Sequence, residues 1–444
     1  MKIALIMVKG EPYSFKKLLF GAKASPDSLT LPMLYSIIHN AFPDVEIDIY
    51  DETFEKIKKE NIEADIIGIS AITPAYYKAV ELSKYFRAKG IPVFVGGAHA
   101  SLVPEDCMED FDSVISGLAN DTLVELINDF KNNNLKKIYR QHPDMSFKNF
   151  VLPERNLYSN LKKYRYNEEI TTVQATYGCS NICKFCVQPF ICKGYHQRPV
   201  EDVIEEIRQI KSRNIEFYDP NLTKDFTYLR NLCAGLLSLK KQWMAPMTIS
   251  IANNEEYLKM IKQAGCKAVL IGFESINPDS IDAINKGFNN IAKYKMAVSR
   301  FHKYGIMVIG SFVTGLDGDN KNTLKYTLNF IKEANIDVPR FTINTPYPGT
   351  EFYKEMKDSG RLLTEDLKYY DCMHCVIQPN NLTPKQVEKI FFKMWREAYK
   401  FINVIKRLSY IKSLPKRLLY AIAVYLVGKR YAKRAFKHRL KSKL

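Results

Sequence analysis

The stretch TYGCSNICKFCVQPF, residues 176–190, places cysteines at 179, 183 and 186 and offers no fourth nearby. Structural zinc takes four closed ligands, commonly from paired Cys-x2-Cys elements, so this set is one ligand short. Thiolates on Cys179, Cys183 and Cys186 can instead reach three corners of one cluster, because the residues between them let the chain wrap as a loop. A cluster held in this way keeps one iron open, and an open metal site can bind a substrate. Three coincidental core thiols are the competing explanation. The surrounding pattern decides between them.

Around the loop, short apolar runs alternate with helical stretches: TTVQAT, IEFYDP, MTISI, AVLIGF, IMVIGSFV and RFTINT, each followed by a helix-like segment. Six such units predict a partial (β/α)6 TIM-like barrel whose site lies at the carboxyl ends of its strands. The cysteine loop follows the first of them. Upstream, KIALIMV, EIDIYD, DIIGIS, PVFVGG and SVISG alternate with helices in the same way and predict a five-stranded Rossmann-like or flavodoxin-like domain. Its loops SAIT (70–73), GGAHASLVP (96–104) and SGLAND (116–121) are candidate pocket walls, because glycine lets a ligand approach the backbone. Turn formation alone would explain Gly96, Gly97 and Gly117 equally well. Residues 136–168 show no periodicity and read as a connector.

With 444 residues, 46% of them hydrophobic and 25% charged, the chain has room for two or three domains and no mark of disorder. Its start, MKIALIMVKGEPYS, reads as a core strand and not a signal peptide, since Lys9 and Glu11 stand where a cleavage site would be. Nine cysteines without a disulfide-like spacing point to a reducing compartment, hence a cytoplasmic location. The net charge of +17 is local. Thirteen Lys and Arg and no acid lie after Phe401, leaving about +4 for the rest (17 − 13). The basic tail has few interleaved aromatics, which argues against nucleic acid. Its apolar run Leu418–Val427 is about half a membrane span. A helix beginning near Pro415 would therefore either pack on the barrel or lie at the inner face of a membrane.

The Cys-x3-Cys-x2-Cys loop after the first barrel strand, with Phe185 before the third cysteine, resembles the signature of the radical S-adenosylmethionine superfamily. The resemblance implies a [4Fe–4S] cluster on Cys179, Cys183 and Cys186 whose open iron chelates S-adenosylmethionine. One-electron cleavage would then release an adenosyl radical that abstracts hydrogen. In FYDPN, GFES and VIGSFVTGLDGD it implies contacts to the bound cofactor, nominating Tyr218, Asp219, Asn221, Glu274 and Ser275. LTLPMLYSI, GISAIT, GGAHASLVPED and RPVEDVIEEI extend the likeness to cobalamin-binding members, including hopanoid methylases and the anaerobic porphyrin-ring cyclase. That nominates Ser70, Thr73, Gly96, Gly97, His99 and Gly117 for cobalamin. The implied plan is α/β: a Rossmann-like cobalamin-binding-type domain (1–140), a connector (141–168), a radical barrel (169–350) and a helical C-terminal region with the basic tail (351–444).

Two departures stand out. No histidine has Asp two before it and Gly three after it, so a protein imidazole is not expected on the cobalt. Where relatives carry Gly-Glu-x-Glu after the fifth strand, GLAN has Leu118 and Asn120. The resemblance thus implies a cobalamin-dependent enzyme that methylates or rearranges an unactivated carbon of a hydrophobic small molecule or lipid. It would draw its electron from a flavodoxin or ferredoxin. Alternatives are ring formation with a degenerate cobalamin domain and an RNA-modifying methylthiotransferase, whose N-terminal domain would need three further cysteines where only Cys107 is present. DCMHC (371–375) is too cramped for a second metal, and Cys192, Cys233 and Cys266 read as packing thiols.

Overall fold

A computed structural model of the chain describes residues 1–9, 29–143, 147, 150–157, 170–287 and 289–439. The N-terminal sheet comprises β1 (Lys2–Met7), β2 (Glu46–Asp51), β3 (Ile66–Ser70), β4 (Val93–Gly96), β5 (Ser113–Ser116) and β6 (Ile138–Arg140), all parallel, in the order β2-β1-β3-β4-β5-β6. Side chains alternate across it, and the alternation feeds two cores. Ala4 and Ile6 join α2 (Tyr76–Arg87) on one face, while Ile3 and Leu5 join α1 (Thr30–Ala41) and α4 (Thr122–Lys131) on the other. Between them in sequence, α3 (Ala98–Leu102) follows β4.

Five strands were expected here and six are present. β6 has three residues, of which Tyr139 alone is buried, so its sequence carries too little apolar signal to separate it from the connector.

The second sheet has the order β14-β13-β12-β11-β10-β7, every pair parallel, and forms an open half-barrel. Its strands are β7 (Ile170–Val173), β10 (Asn214–Phe217), β11 (Gln242–Met247), β12 (Cys266–Glu274), β13 (Met307–Thr314) and β14 (Val338–Ile343). A two-stranded antiparallel ribbon, β8 (Thr176–Tyr177) and β9 (His196–Gln197), brackets the cysteine loop, within which lies α5 (Gln188–Ile191). The outer helices are α6 (Val200–Gln209), α7 (Phe226–Leu237), α8 (Glu255–Gln263), α9 (Pro278–Ala283), α10 (Tyr294–Lys303) and α11 (Thr323–Glu333). Asp225, Asn254 and Asn277 cap α7, α8 and α9 by accepting from first-turn backbone amides, which fixes where each helix leaves the rim.

Beyond β14 come α12 (Glu351–Asp358), α13 (Pro384–Ala398), α14 (Phe401–Arg407) and α15 (Leu414–Arg439). Thr383 and Gln386 form a capping box on α13. Buried Asp337 holds this region to the barrel: its carboxylate accepts from Val308 N at 2.7 Å and Tyr410 Oη at 2.5 Å, and its carbonyl accepts from Arg407 Nε at 3.1 Å. Among the described residues, no helix is long and apolar enough to cross a membrane.

Candidate functional site

The root of the cysteine loop is fixed from the neighbouring strand. Asp219, just past β10, accepts from Ala175 N at 3.2 Å, Thr176 N at 2.6 Å and Thr176 Oγ1 at 2.7 Å. Burial pushes its carboxyl up to about 6, against those hydrogen bonds and the Arg198 charge. Gly178 has φ +73°, and a Cβ there would overlap the Gly194 carbonyl oxygen. The two limbs of the loop therefore cross at a place only glycine can occupy. Arg198 adds a further tie, donating to Gln174 O at 2.8 Å and pairing with buried Glu206 at 2.6 Å.

Within the loop, Cys186 N donates to Cys183 O at 3.0 Å, and Cys179 Sγ accepts from Asn181 N at 3.5 Å. Burial pushes the Cys186 thiol up to about 12; an amide contact at Gln188 opposes this, and Cys183 and Cys179 add to it. The three sulfurs thus feel one another. Among the described residues no group of three His, Cys, Asp or Glu would cage a single ion. A cluster spreads its thiolates over separate irons, so that result does not bear against one, and a thiol-only donor set suits iron–sulfur chemistry. Phe185 packs between the barrel core and Ile281, Ile284, Val313 and Leu316.

Opposite the loop, β12 ends at Glu274, which sits at φ +57° with its carboxylate 2.5 Å from Lys286 Nζ. Burial alone would lower the Lys286 ammonium pKa; the Glu274 charge and hydrogen bond, followed by Cys183 and Cys186, raise it instead. Gly272 leaves the room, since a Cβ there would overlap Glu274 Oε1 and lie 2.7 Å from Lys286 Nζ. Ser275 is buried, and its Oγ accepts from Asn277 N at 3.0 Å. Asn221 turns its Oδ1 toward Thr223, accepting from its N at 3.1 Å and Oγ1 at 2.7 Å. Tyr218 is 61% exposed, yet burial by the surrounding protein raises its phenol pKa and Glu216 adds to the shift.

Glu216 and Arg340 were not singled out by the sequence. Each alternates with core residues in a strand whose outer face is covered by helices, so each is directed to the lumen. Burial raises the Glu216 pKa and the Arg340 charge opposes it. Lys286 was missed as well.

At the carboxyl edge of the N-terminal sheet, Ser70, Thr73, Gly96, Gly97, His99 and Gly117 come together. His99 is 2% exposed, lies 3.3 Å from Thr73 Oγ1 through Nδ1, and packs on Tyr76 with ring centroids 4.2 Å apart. Burial drives its pKa down to about 4, so the imidazole is neutral. Gly117, at φ +98°, admits Gln141, whose Cβ would lie 2.5 Å from an added methyl. Small residues and hydroxyls line the edge at which a cobalamin would be held, and His99 belongs to it as a packed core side chain.

The two edges face each other. Lys193 Nζ donates to Ser101 O at 3.3 Å, Gln141 Nε2 donates to Cys192 O at 3.1 Å, and Gly349 lies against the Leu102 carbonyl. In DCMHC, Asp371 and His374 pair with each other at 2.9 Å, while Cys372 lies 3.2 Å from Tyr347 Oη.

Residues 173–331 match the radical SAM superfamily and residues 35–127 the B12 binding domain. The chain is 27% identical to the bacteriochlorophyllide d C-12(1)-methyltransferase of Chlorobaculum tepidum, over 90% of this chain and 88% of that protein. It is 29% identical to an uncharacterized methyltransferase of Pyrococcus horikoshii, over 90% and 92%. The solved structure of the cobalamin-dependent S-adenosylmethionine radical enzyme OxsB shares the fold at 14% identity and a TM-score of 0.70, covering 98% of this chain and 72% of that one. With its cysteine loop on a parallel half-barrel facing a B12-type sheet, the chain carries a radical SAM domain and a B12-binding domain together, the domain pair of cobalamin-dependent radical S-adenosylmethionine enzymes.

Proposed function

We propose that the chain is a C-methyltransferase acting on an unactivated carbon of a hydrophobic small molecule or lipid. The observation that carries the reading is the face-to-face placement of the cysteine loop and the glycine-lined shelf, joined through Gln141 and Cys192. Methyl transfer needs a radical generator and a methyl carrier within reach of one substrate.

In this reading Cys179, Cys183 and Cys186 hold the [4Fe–4S] cluster, and Phe185 braces the loop. Lys286 and Glu274 offer opposite charges to the carboxylate and amino group of S-adenosylmethionine, with Ser275 next to Glu274 in the chain and Tyr218 directly after β10. Asp219 and Asn221 shape the loop root and the rim. Ser70, Thr73, Gly96, Gly97, His99 and Gly117 bed the cobalamin. When bound, these groups supply reductive cleavage of S-adenosylmethionine and a transferable methyl group. Glu216 and Arg340 give the lumen fixed charges with which a polar end of the substrate can be oriented. A flavodoxin or ferredoxin supplies the electron, and the basic tail gives peripheral contact with a membrane.

Anaerobic reconstitution tests the proposal. The wild-type chain should take up iron, sulfide and stoichiometric corrinoid and cleave S-adenosylmethionine, whereas Cys183→Ala should lose the cluster absorbance and the cleavage together. Full cleavage by Cys183→Ala would overturn the cluster assignment. Exclusion of corrinoid by a cleaving wild-type chain would turn the reading to ring formation or rearrangement.

A further inference from the structure

The tail run that reads as one apolar segment is divided by the fold into two opposite faces of α15. Ala421, Val424 and Val427 are buried against the barrel side, with Gly428 seated on the Tyr399 ring. Leu414 (58% exposed), Leu418, Ile422 (48%) and Leu426 (47%) recur every four residues along the other side, with Leu419 (67%) beside them. That spacing makes one stripe, about 18 Å long at 1.5 Å per residue. Phe401 meets Tyr425 edge-on at 5.4 Å, so exposed Phe401 and Ile402 (55%) of α14 widen the patch at one end. Seven residues beyond Ile422 and Leu426, the row runs on into exposed Lys429 and Lys433.

From these positions we propose that the α14–α15 face is a docking surface for an anionic lipid bilayer, with the leucines entering the interface and the lysines at the headgroups. A contiguous exposed apolar patch of this kind calls for a cover. The chain itself says which. No acidic residue follows Glu397 in the sequence, so every charged side chain that α14 and α15 themselves carry is basic. A second copy docked through the same face would bring like charges together. A bilayer with negative headgroups matches both parts of the face, and a helix lying in the interface needs no spanning length. The inference deepens the peripheral-contact part of the proposed function and is independent of its chemistry.

The test uses the full chain with vesicles of phosphatidylglycerol and phosphatidylcholine, or of phosphatidylcholine alone. Wild type should sediment with the anionic vesicles, more weakly as salt rises, and poorly with the neutral ones. Leu414→Gln/Leu419→Gln/Ile422→Gln should weaken binding by about tenfold or more, and Lys429→Glu/Lys433→Glu should weaken binding to the anionic vesicles and make it less steeply dependent on salt. Lys259→Glu/Lys321→Glu, elsewhere on the surface, should behave as wild type. Unchanged melting temperatures exclude misfolding, and unchanged S-adenosylmethionine cleavage separates docking from chemistry. Wild-type sedimentation by the leucine variant would overturn the proposal. So would a wild-type dimer that the leucine variant dissolves while vesicles bind neither chain, or lysine-dependent binding of single-stranded RNA with no vesicle binding.

Discussion

Gln141 Nε2 donates to the carbonyl oxygen of Cys192 at 3.1 Å, while Gln141 Oε1 accepts from Leu118 N at 2.9 Å. One side chain thereby ties the loop after β5 to the segment that closes the cysteine loop. Both contacts are lost in Gln141→Ala, which should cost about 1–3 kcal/mol for the polar groups left unpaired. The larger consequence concerns coupling. The variant should still cleave S-adenosylmethionine but yield less methylated product per cleavage, because the two edges no longer hold one separation. Product ratios together with urea unfolding check this, and an unchanged ratio would reduce Gln141 to a packing residue.

Gly272→Ala should act on the Glu274–Lys286 pair without touching a cysteine. The added methyl would overlap Glu274 Oε1 and lie 2.7 Å from Lys286 Nζ, so the pair must part or tilt. Affinity for S-adenosylmethionine should fall by about tenfold, the equivalent of roughly 1.4 kcal/mol, with the iron content and cluster spectrum retained. Equilibrium dialysis against the reconstituted protein measures it. Wild-type affinity would place the cofactor's charged groups elsewhere.

The strand series were legible because β-branched runs such as IIGIS and MVIGSFV repeat between helical stretches, and a parallel sheet buried on both faces demands that composition. The spacing of Cys179, Cys183 and Cys186 was visible because those ligands are local in sequence. Lys286 was not, since its relation to Glu274 depends on α9 turning the chain back across twelve residues, a distance with no pattern of its own. Glu216 and Arg340 look like ordinary polar interruptions of apolar strands until the lumen gives them a side to face. The run Leu418–Val427 left packing and membrane contact both open for the opposite reason. Its composition is continuous, and only packing against Tyr399 separates the buried side from the exposed one.

Asp219 makes a pH-dependent contribution whose sign follows from burial. Its folded pKa, about 6, lies above the model-compound value of 3.8, so the folded chain binds this proton more tightly than the unfolded chain. Stability from this group is therefore fully present below about pH 4 and is lost as pH rises toward 6. By the usual conversion the change is on the order of 3 kcal/mol. Asp219→Asn should flatten that slope while weakening the loop root, because its amide would face the Ala175 N–H that the carboxylate now accepts. Urea unfolding of both chains at pH 4.5 and pH 7.5 measures the difference. Parallel pH dependences would show that the carboxyl does not titrate in this range.

Gly428→Ala sets two known effects against each other. In an exposed helix the change would stabilise by about 1 kcal/mol, because glycine is the poorer helix former. Here the new methyl would overlap the Tyr399 ring. That ring cannot yield easily: its hydroxyl donates to Pro339 O at 2.7 Å, Trp395 stacks on it with centroids 5.7 Å apart, and Arg407 lies over it at 5.0 Å. Overpacking of a fixed site costs about 1–3 kcal/mol, so the clash should outweigh the helical gain. Relief is cheapest if α15 lifts away from the barrel, since its far side already faces solvent. The variant should therefore show faster proteolysis after Ser413 and a lowered melting temperature, with cluster uptake unchanged. A stabilised, protease-resistant Gly428→Ala chain would mean that α15 does not rest on Tyr399 in solution.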